Sequence, residues 1–256
     1  MQNFLFKAPY SNQLPALYLI SALCGTLIVG VLAIPSARAA REIEAEGYLQ
    51  SPLPVPGKEI ALVFDDGPTP WSTPIILENL KKLRIRATFS LVGKNVSTYP
   101  ELAKRIVADG HEVANRTWSN LELTGMTPEQ IRSEIKADFD IIYKITGVKP
   151  RFFRPPGSKT NPEIEDIASS AGMTVLMHSL DSGDWRNPPD GTVKRVVLTG
   201  VTPCAIILAH ESFPKFIKEL PAILEGLSTS GYQLLTVSEL QSKAGIRFAG
   251  HAVYDE

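Results

Sequence analysis

From residue 58 onward, short apolar runs alternate with longer segments in which apolar positions recur every three or four residues. Runs of β-branched and aromatic residues bounded by Gly, Pro, Asp or Asn mark buried strands, and the longer period marks helices that cover one face. The pattern predicts strands over residues 60–64, 87–91, 111–114, 151–153, 173–178, 205–208 and 232–235, with helices over 73–83, 100–108, 127–146, 162–171 and 216–227. The helix over 127–146 is the best specified. Thr127-Pro128-Glu129 supplies an N-cap with proline at the first helical position, Ile131, Ile135, Phe139, Ile142 and Tyr143 supply the buried stripe, and Gly147 ends it. Strands that alternate with helices imply an α/β fold built on a mostly parallel sheet.

The beginning of the chain follows neither period. After a polar start containing Lys7, an almost unbroken apolar stretch covers residues 14–34, followed by Pro35-Ser36-Ala37-Arg38-Ala39-Ala40. The small residues of Ala37-Arg38-Ala39 fit a signal-peptidase site. The length of the run also reaches the ~20 residues that span a bilayer. A cleaved signal peptide and an uncleaved membrane anchor therefore both fit residues 1–40, and either makes this an exported protein of the periplasm, cell wall or surroundings. Residues 41–57, charged and then punctuated by Pro52, Pro54 and Pro56, read as a linker; 58–242 form one domain and 243–256 a C-terminal tail.

Composition narrows the partners. A chain of 256 residues, 44% hydrophobic, has material for one sizeable core. With 26 basic against 27 acidic residues and no charged block, it has no electrostatic footprint for nucleic acid. Membrane contact is expected only through the N-terminal segment, and the oligomeric state is left open. Cys24 lies in the apolar stretch and Cys204 stands alone beyond it, so the domain has no internal disulfide; Cys204, beside Ala205-Ile206-Ile207-Leu208, is expected as a buried thiol of a core strand.

Candidate chemistry collects where strands end. Phe64 is followed by Asp65-Asp66-Gly67-Pro68, Phe153 by Arg154-Pro155-Pro156-Gly157, the run ending at His178 by Asp181-Ser182-Gly183-Asp184-Trp185, and Ile207 by Leu208-Ala209-His210. One such group could be a turn, since Asp, Gly and Pro favour turns anyway. Four of them match a parallel barrel, whose site is built by the loops at the C-terminal strand ends.

In these motifs the chain resembles the polysaccharide deacetylase family, also called the NodB-homology domain or carbohydrate esterase family 4, over about residues 58–240. The resemblance implies an irregular (β/α)7-type barrel that removes acetyl groups from N-acetylated sugars of a cell-wall or extracellular glycan with the help of a divalent metal, usually zinc. It assigns Asp65 as general base, His210 as general acid, Arg154 and Asp184 as the residues that orient and tune them, and Trp185 and Leu208 as the acetyl pocket, with Pro155, Gly157 and Asp181 beside the substrate. Asp66 would be one metal ligand. The other two belong to a His-x-x-x-His motif, and here Gly110-His111-Glu112-Val113-Ala114-Asn115 leads instead into Arg116-Thr117-Trp118-Ser119-Asn120. Arg116 and Asn120 occupy both ligand positions, and His111 belongs to the opposite end of its strand.

Asp66 alone does not make the three-ligand site of a catalytic zinc. No cofactor is therefore expected, unless His178 and His210 join Asp66 in a rearranged site. Arg116 either enters the vacated space and pairs with Asp66 or points to solvent while Asn120 caps a turn. Two functions compete: a deacetylase with a weakened mechanism, and an inactive relative that binds glycan without hydrolysis. A two-carboxylate glycoside hydrolase would need a second acid about 5 to 9.5 Å from Asp65, with Asp66, Asp181 and Asp184 as candidates.

Overall fold

The structure is a computed structural model and describes residues 57–244; the expected export segment, nearly all of the expected linker and the tail beyond 244 lie outside the described residues. In chain order the elements are β1 (Glu59–Gly67), α1 (Thr73–Lys82), β2 (Thr88–Leu91), α2 (Gly93–Thr98), α3 (Pro100–Ala108), β3 (Glu112–Asn115), α4 (Pro128–Thr146), β4 (Phe152–Phe153), α5 (Pro162–Ser170), β5 (Thr174–Val175), β6 (Leu180–Asp181), α6 (Thr192–Gly200), β7 (Ile206–His210), α7 (Pro214–Thr229), β8 (Gln233–Leu235) and α8 (Val237–Ala244). All strand pairs are parallel, in the order β5-β4-β3-β2-β1-β7-β6. Ala61 pairs with Ile206 of β7 and also with Leu235 of β8, so β8 lies on the edge of β1 that β2 occupies further along.

Alternation along β1 shows how the sheet curls. Ile60, Leu62 and Phe64 join the large cluster with Ile76, Leu80, Phe216 and Leu220 from the covering helices. Ala61 and Val63 face a smaller cluster with Ala114, Phe152, Leu176, Ile206 and Leu235. Side chains of a strand alternate between faces, and one small cluster fed by β1, β3, β4, β7 and β8 requires the sheet to wrap around it. Val237 and Leu240 of α8 enter this inner cluster, and Val237 N–H donates to Thr88 Oγ1 at the start of β2, so α8 plugs the N-terminal end of the barrel. The ends of the sheet, β5 and β6, are joined by residues 176–179. This is the irregular, incomplete barrel of the family pattern.

The register carries the chemistry. Val63 lies opposite Leu208 and Asp65 opposite His210 on adjacent parallel strands. By parity both polar residues top the inward stacks, one step beyond the apolar plug.

Several boundaries differ from expectation. The strand expected over 173–178 is only β5, and the pairing resumes in β6, two residues too short to leave a periodic signal. α2 was missed for its six residues. α6 was missed because its N-cap is Gly191 in the left-handed region, without a capping side chain. Gly147, also left-handed, ends α4 as expected, and Thr127 and Gln130 form a full capping box. Cys204 is not a core-strand thiol: it stands in the turn before β7 with φ 64 and is only partly buried.

Gly67 ends β1 where the chain has no room for a side chain. A Cβ there would lie 1.8 Å from Oε1 of Glu211. Glu211 is fully buried and takes hydrogen bonds from Ser72 Oγ, at 3.2 Å, and Thr73 Oγ1. Gly67→Ala is expected to lower the unfolding free energy by about 1–3 kcal/mol through overpacking, measured by urea denaturation.

Candidate active site

Adjacent residues of an extended strand face opposite sides, so Asp65 and Asp66 should not share a site. The ladder between β1 and β2 shifts register between Asp65 and Gly67, and Asp66 has φ 75, a left-handed conformation that Asp tolerates better than most side chains. Asn95 Nδ2 holds this bulge by donating to the Asp66 carbonyl at 2.9 Å. The bulge turns Asp66 into the same space as Asp65.

Arg116, the first residue after β3, fills that space. Its backbone N–H donates to Leu91 O at 3.0 Å and to Asp138 Oδ2 at 2.8 Å. The guanidinium places Nη1 2.9 Å from Asp65 Oδ2, and Nη2 and Nε 3.2 and 3.3 Å from Asp66 Oδ1. Nη1 also donates to Pro155 O at 3.0 Å. Arg116 is 4% exposed, so the solvent-pointing alternative is excluded. Asn120, held by its N–H on Thr117 Oγ1, donates from Nδ2 to Asp66 Oδ1 at 3.0 Å, and Ser212 Oγ donates to Asp66 Oδ2 at 2.6 Å. Burial pushes the Asp66 carboxyl up, but Arg116, Ser212, His210 and Asn120 together hold it below its ordinary value.

Arg154, following β4, reaches Asp65 from the other side, with Nε 3.2 Å from Oδ2. Its remaining donors go to Leu176 O at 3.1 Å, Met177 Sδ at 3.7 Å, Ser158 Oγ at 2.8 Å and His178 Nδ1 at 3.0 Å. Asp65 is thus 0% exposed, with Oδ2 shared by two guanidiniums and Oδ1 buried without a hydrogen-bond partner. A carboxylate so enclosed cannot meet a sugar carbon, which removes the glycoside hydrolase reading.

His210 lies on the open side. Its Nδ1 is 2.8 Å from Asp184 Oδ1, and its backbone N–H donates to Asp184 Oδ2 at 2.8 Å. Burial works against the charged ring, but the bond to Asp184 and the charges of Asp184, Asp65 and Asp66 raise the His210 pKa above its ordinary 6.5. The groove in front of it, about 570 Å³, is lined by Asp66, Arg116, His178, Trp185, Leu208 and Phe213 among others. Gly157 and Asp181 also line it, whereas Pro155 does not: it turns its carbonyl to Arg116, and Pro156 takes its place at the groove. Trp185 is 46% exposed, its Nε1 donating to Asp181 Oδ2 at 3.0 Å and the Arg186 guanidinium lying 4.5 Å from its ring centre. It is a rim platform rather than a core aromatic. His111, as placed by the strand argument, sits below β3, where its Nδ1 accepts from Ala87 N–H.

Sequence reasoning missed three contributors. Ser212 carries no motif. Asp138 stands in register with Ile131, Ile135 and Ile142 on the buried stripe of α4, and an acid at such a position was a readable signal; full burial raises its pKa well above the ordinary value. Glu211, pushed by burial to about 7, underlies Gly67 beside the site.

The family model for polysaccharide deacetylase matches residues 53–176. A family 4 acetyl xylan esterase from Clostridium thermocellum, solved with a cobalt ion, is 32% identical, with a TM-score of 0.70 over 75% of this chain and 95% of that one. The chain belongs to the polysaccharide deacetylase family. The peptidoglycan-N-acetylglucosamine deacetylase PgdA of Listeria monocytogenes is 33% identical over 200 residues, covering 75% of this chain and 42% of that protein. The chain thus spans less than half the length of that relative. A family 4 pseudoenzyme from Bacillus anthracis is 28% identical with a TM-score of 0.67, covering 74% of this chain and 69% of that one, and a mutant of it has been solved with restored enzymatic activity.

The residues present here do not fit a divalent ion of the kind bound in such a relative. Both oxygens of Asp66 already accept from Arg116, Asn120 and Ser212, and a guanidinium cation stands between the two carboxylates. Among the described residues, no group of three or more His, Cys, Asp or Glu is placed to hold a metal. The rearranged Asp66, His178 and His210 set is also broken, because Arg154 donates to the ring nitrogen of His178.

Two measurements check this geometry. Arg116→Met leaves Asp65 and Asp66 buried with one counter-ion fewer and is expected to destabilise the fold by about 3–5 kcal/mol in urea denaturation. Because the folded state binds the His210 proton more tightly, the stability contributed by the His210–Asp184 pair is full below the unfolded value near 6.5 and is lost as pH rises through the folded value. Asp184→Asn should lower the His210 pKa in an NMR titration, and its deficit in stability should be larger at about pH 5.5 than at about pH 8.5.

Proposed function

We propose that this chain is a carbohydrate deacetylase-type protein, exported to the cell wall, whose groove takes an N-acetylated sugar of peptidoglycan or a similar glycan and whose amide hydrolysis is strongly slowed. One observation carries the reading: Arg116 binds Asp65 and Asp66 together.

Amide hydrolysis needs an activated water, a held oxyanion and a protonated leaving amine. The last is supplied in principle, since His210, with Nδ1 fixed by Asp184, can hold a proton at Nε2 for a departing amine in the groove. Leu208, Trp185 and Phe213 offer apolar surface to a sugar face and an acetyl methyl. Water activation is the missing half. Asp65, assigned as base by family likeness, is fully enclosed and shared by Arg116 and Arg154, and a guanidinium does not generate hydroxide near neutral pH as a zinc site does. The same observation favours a second reading, binding without hydrolysis, in keeping with the similarity to the Bacillus anthracis pseudoenzyme.

The test uses the full chain with N-acetylglucosamine oligomers, following saturable binding and acetate release. Binding should saturate, and release should lie about 10²–10⁴-fold below that of a metal-bearing relative, the usual contribution of a positioned base. Release abolished by Asp65→Asn would assign slow hydrolysis, and no release at all would assign the binding role. Arg116→His combined with Asn120→His, given zinc, should raise release. Full-rate release by the unmodified chain would overturn the proposal, as would absence of glycan binding.

A further inference from the structure

His178 carries no role in the family pattern, yet its ring is one of the most tightly specified in the groove. Its Nδ1 lies 3.0 Å from Nη2 of Arg154. A guanidinium has only donors, so Nδ1 accepts and the ring proton sits on Nε2. Burial, reinforced by the neighbouring Arg154 charge, lowers the His178 pKa to about 4, so the ring is a neutral imidazole at ordinary pH. Arg154 is itself immobilised by Asp65, Leu176 O and Ser158 Oγ, which fixes the direction of the imidazole. Among the described residues Nε2 has no hydrogen-bond partner, and His178 lines the groove with Leu208, Trp185 and Phe213.

The surroundings say what this donor takes. Around the groove Asp66 is balanced by Arg116, Arg154 by Asp65 at 3.2 Å, His210 by Asp184 at 2.8 Å, Glu122 by Lys159 at 2.8 Å and Asp181 by Arg186 at 3.8 Å. No uncompensated positive charge is left to favour an anionic ligand. A fixed neutral donor beside apolar side chains suits a neutral carbonyl oxygen with a methyl group next to it. Resting on the deacetylase-type reading above, we propose that His178 is a specificity-determining residue whose Nε2–H donates to the acetamido carbonyl oxygen of the bound sugar.

The experiment measures binding of the full chain to N-acetylglucosamine oligomers and to fully deacetylated glucosamine oligomers of the same length, by calorimetry. The unmodified chain should prefer the acetylated oligomer. His178→Phe should weaken it about 5-fold, as expected for one neutral hydrogen bond, and leave the deacetylated oligomer unchanged. His178→Gln, whose amide can accept from Arg154 and still donate to the ligand, should restore most of the loss, which a merely structural role would not. Thermal melting of each variant reports any damage to the Arg154 contacts. Equal weakening of both oligomers, or unchanged binding of the acetylated one by His178→Phe, would overturn the inference and leave the glycan reading standing. An unmodified chain that binds neither oligomer would sink both. Tighter binding of a sugar carrying a carboxylate at the acetamido position would overturn the assignment to a neutral carbonyl.

Discussion

The carboxylate of Asp65, buried between the guanidiniums of Arg116 and Arg154, is the interaction on which the upper end of the barrel depends. An isolated charge at full burial would be prohibitively expensive, and pairing with hydrogen bonds is the condition for its presence. The partners come from the ends of β3 and β4, so one side chain of β1 gathers three strand ends. Arg154 extends the link to the Leu176 carbonyl and His178, in the segment that joins the two ends of the sheet. Polar contacts there do what ladder hydrogen bonds do elsewhere in the barrel.

That arrangement divides the site. On the closed side, the charges of Asp65 and Asp66 are balanced by Arg116 and Arg154 inside the protein, with Asp65 Oδ1 left without a hydrogen-bond partner. On the open side, His210, His178 and Trp185 face a groove with ring positions set by Asp184, Arg154 and Asp181 respectively. A preorganised groove favours binding, because the side chains lose little further freedom when a ligand arrives. Chemistry needs the closed side as well. A guanidinium carries one positive charge where a divalent ion carries two; with Arg154 it still balances Asp65 and Asp66, but it has no open coordination position at which water is activated.

Much of this was legible residue by residue. The N-cap Thr127, the proline at 128 and the terminating Gly147 define α4 through local chemistry, and the apolar runs around Leu62, Phe89 and Ile207 define the central strands. Asp65, Arg154, Asp184 and His210 were legible as a set because each follows such a run. β6, α2 and α6 were not, since two- and six-residue elements hold no period and a glycine N-cap leaves no capping signal. Asp66 could be named as a site residue but not oriented: only the bulge at φ 75 brings it beside Asp65. Arg116 had two orientations open to it, and the motif put Pro155 beside the substrate where Pro156 is the one that lines the groove.

The sequence by itself determined the central strands and the longer helices, the family and the replacement of two imidazoles by Arg116 and Asn120, because those follow from local periods and residue identities. The tertiary structure alone decided what the replacement does. A guanidinium on a flexible stem can sit in solvent or in a cavity, and the choice depends on two carboxylates 50 and 51 positions earlier in the chain. Their shared charge, brought into reach by the curl of the sheet and too costly to bury unpaired, draws Arg116 inward and shuts Asp65 away.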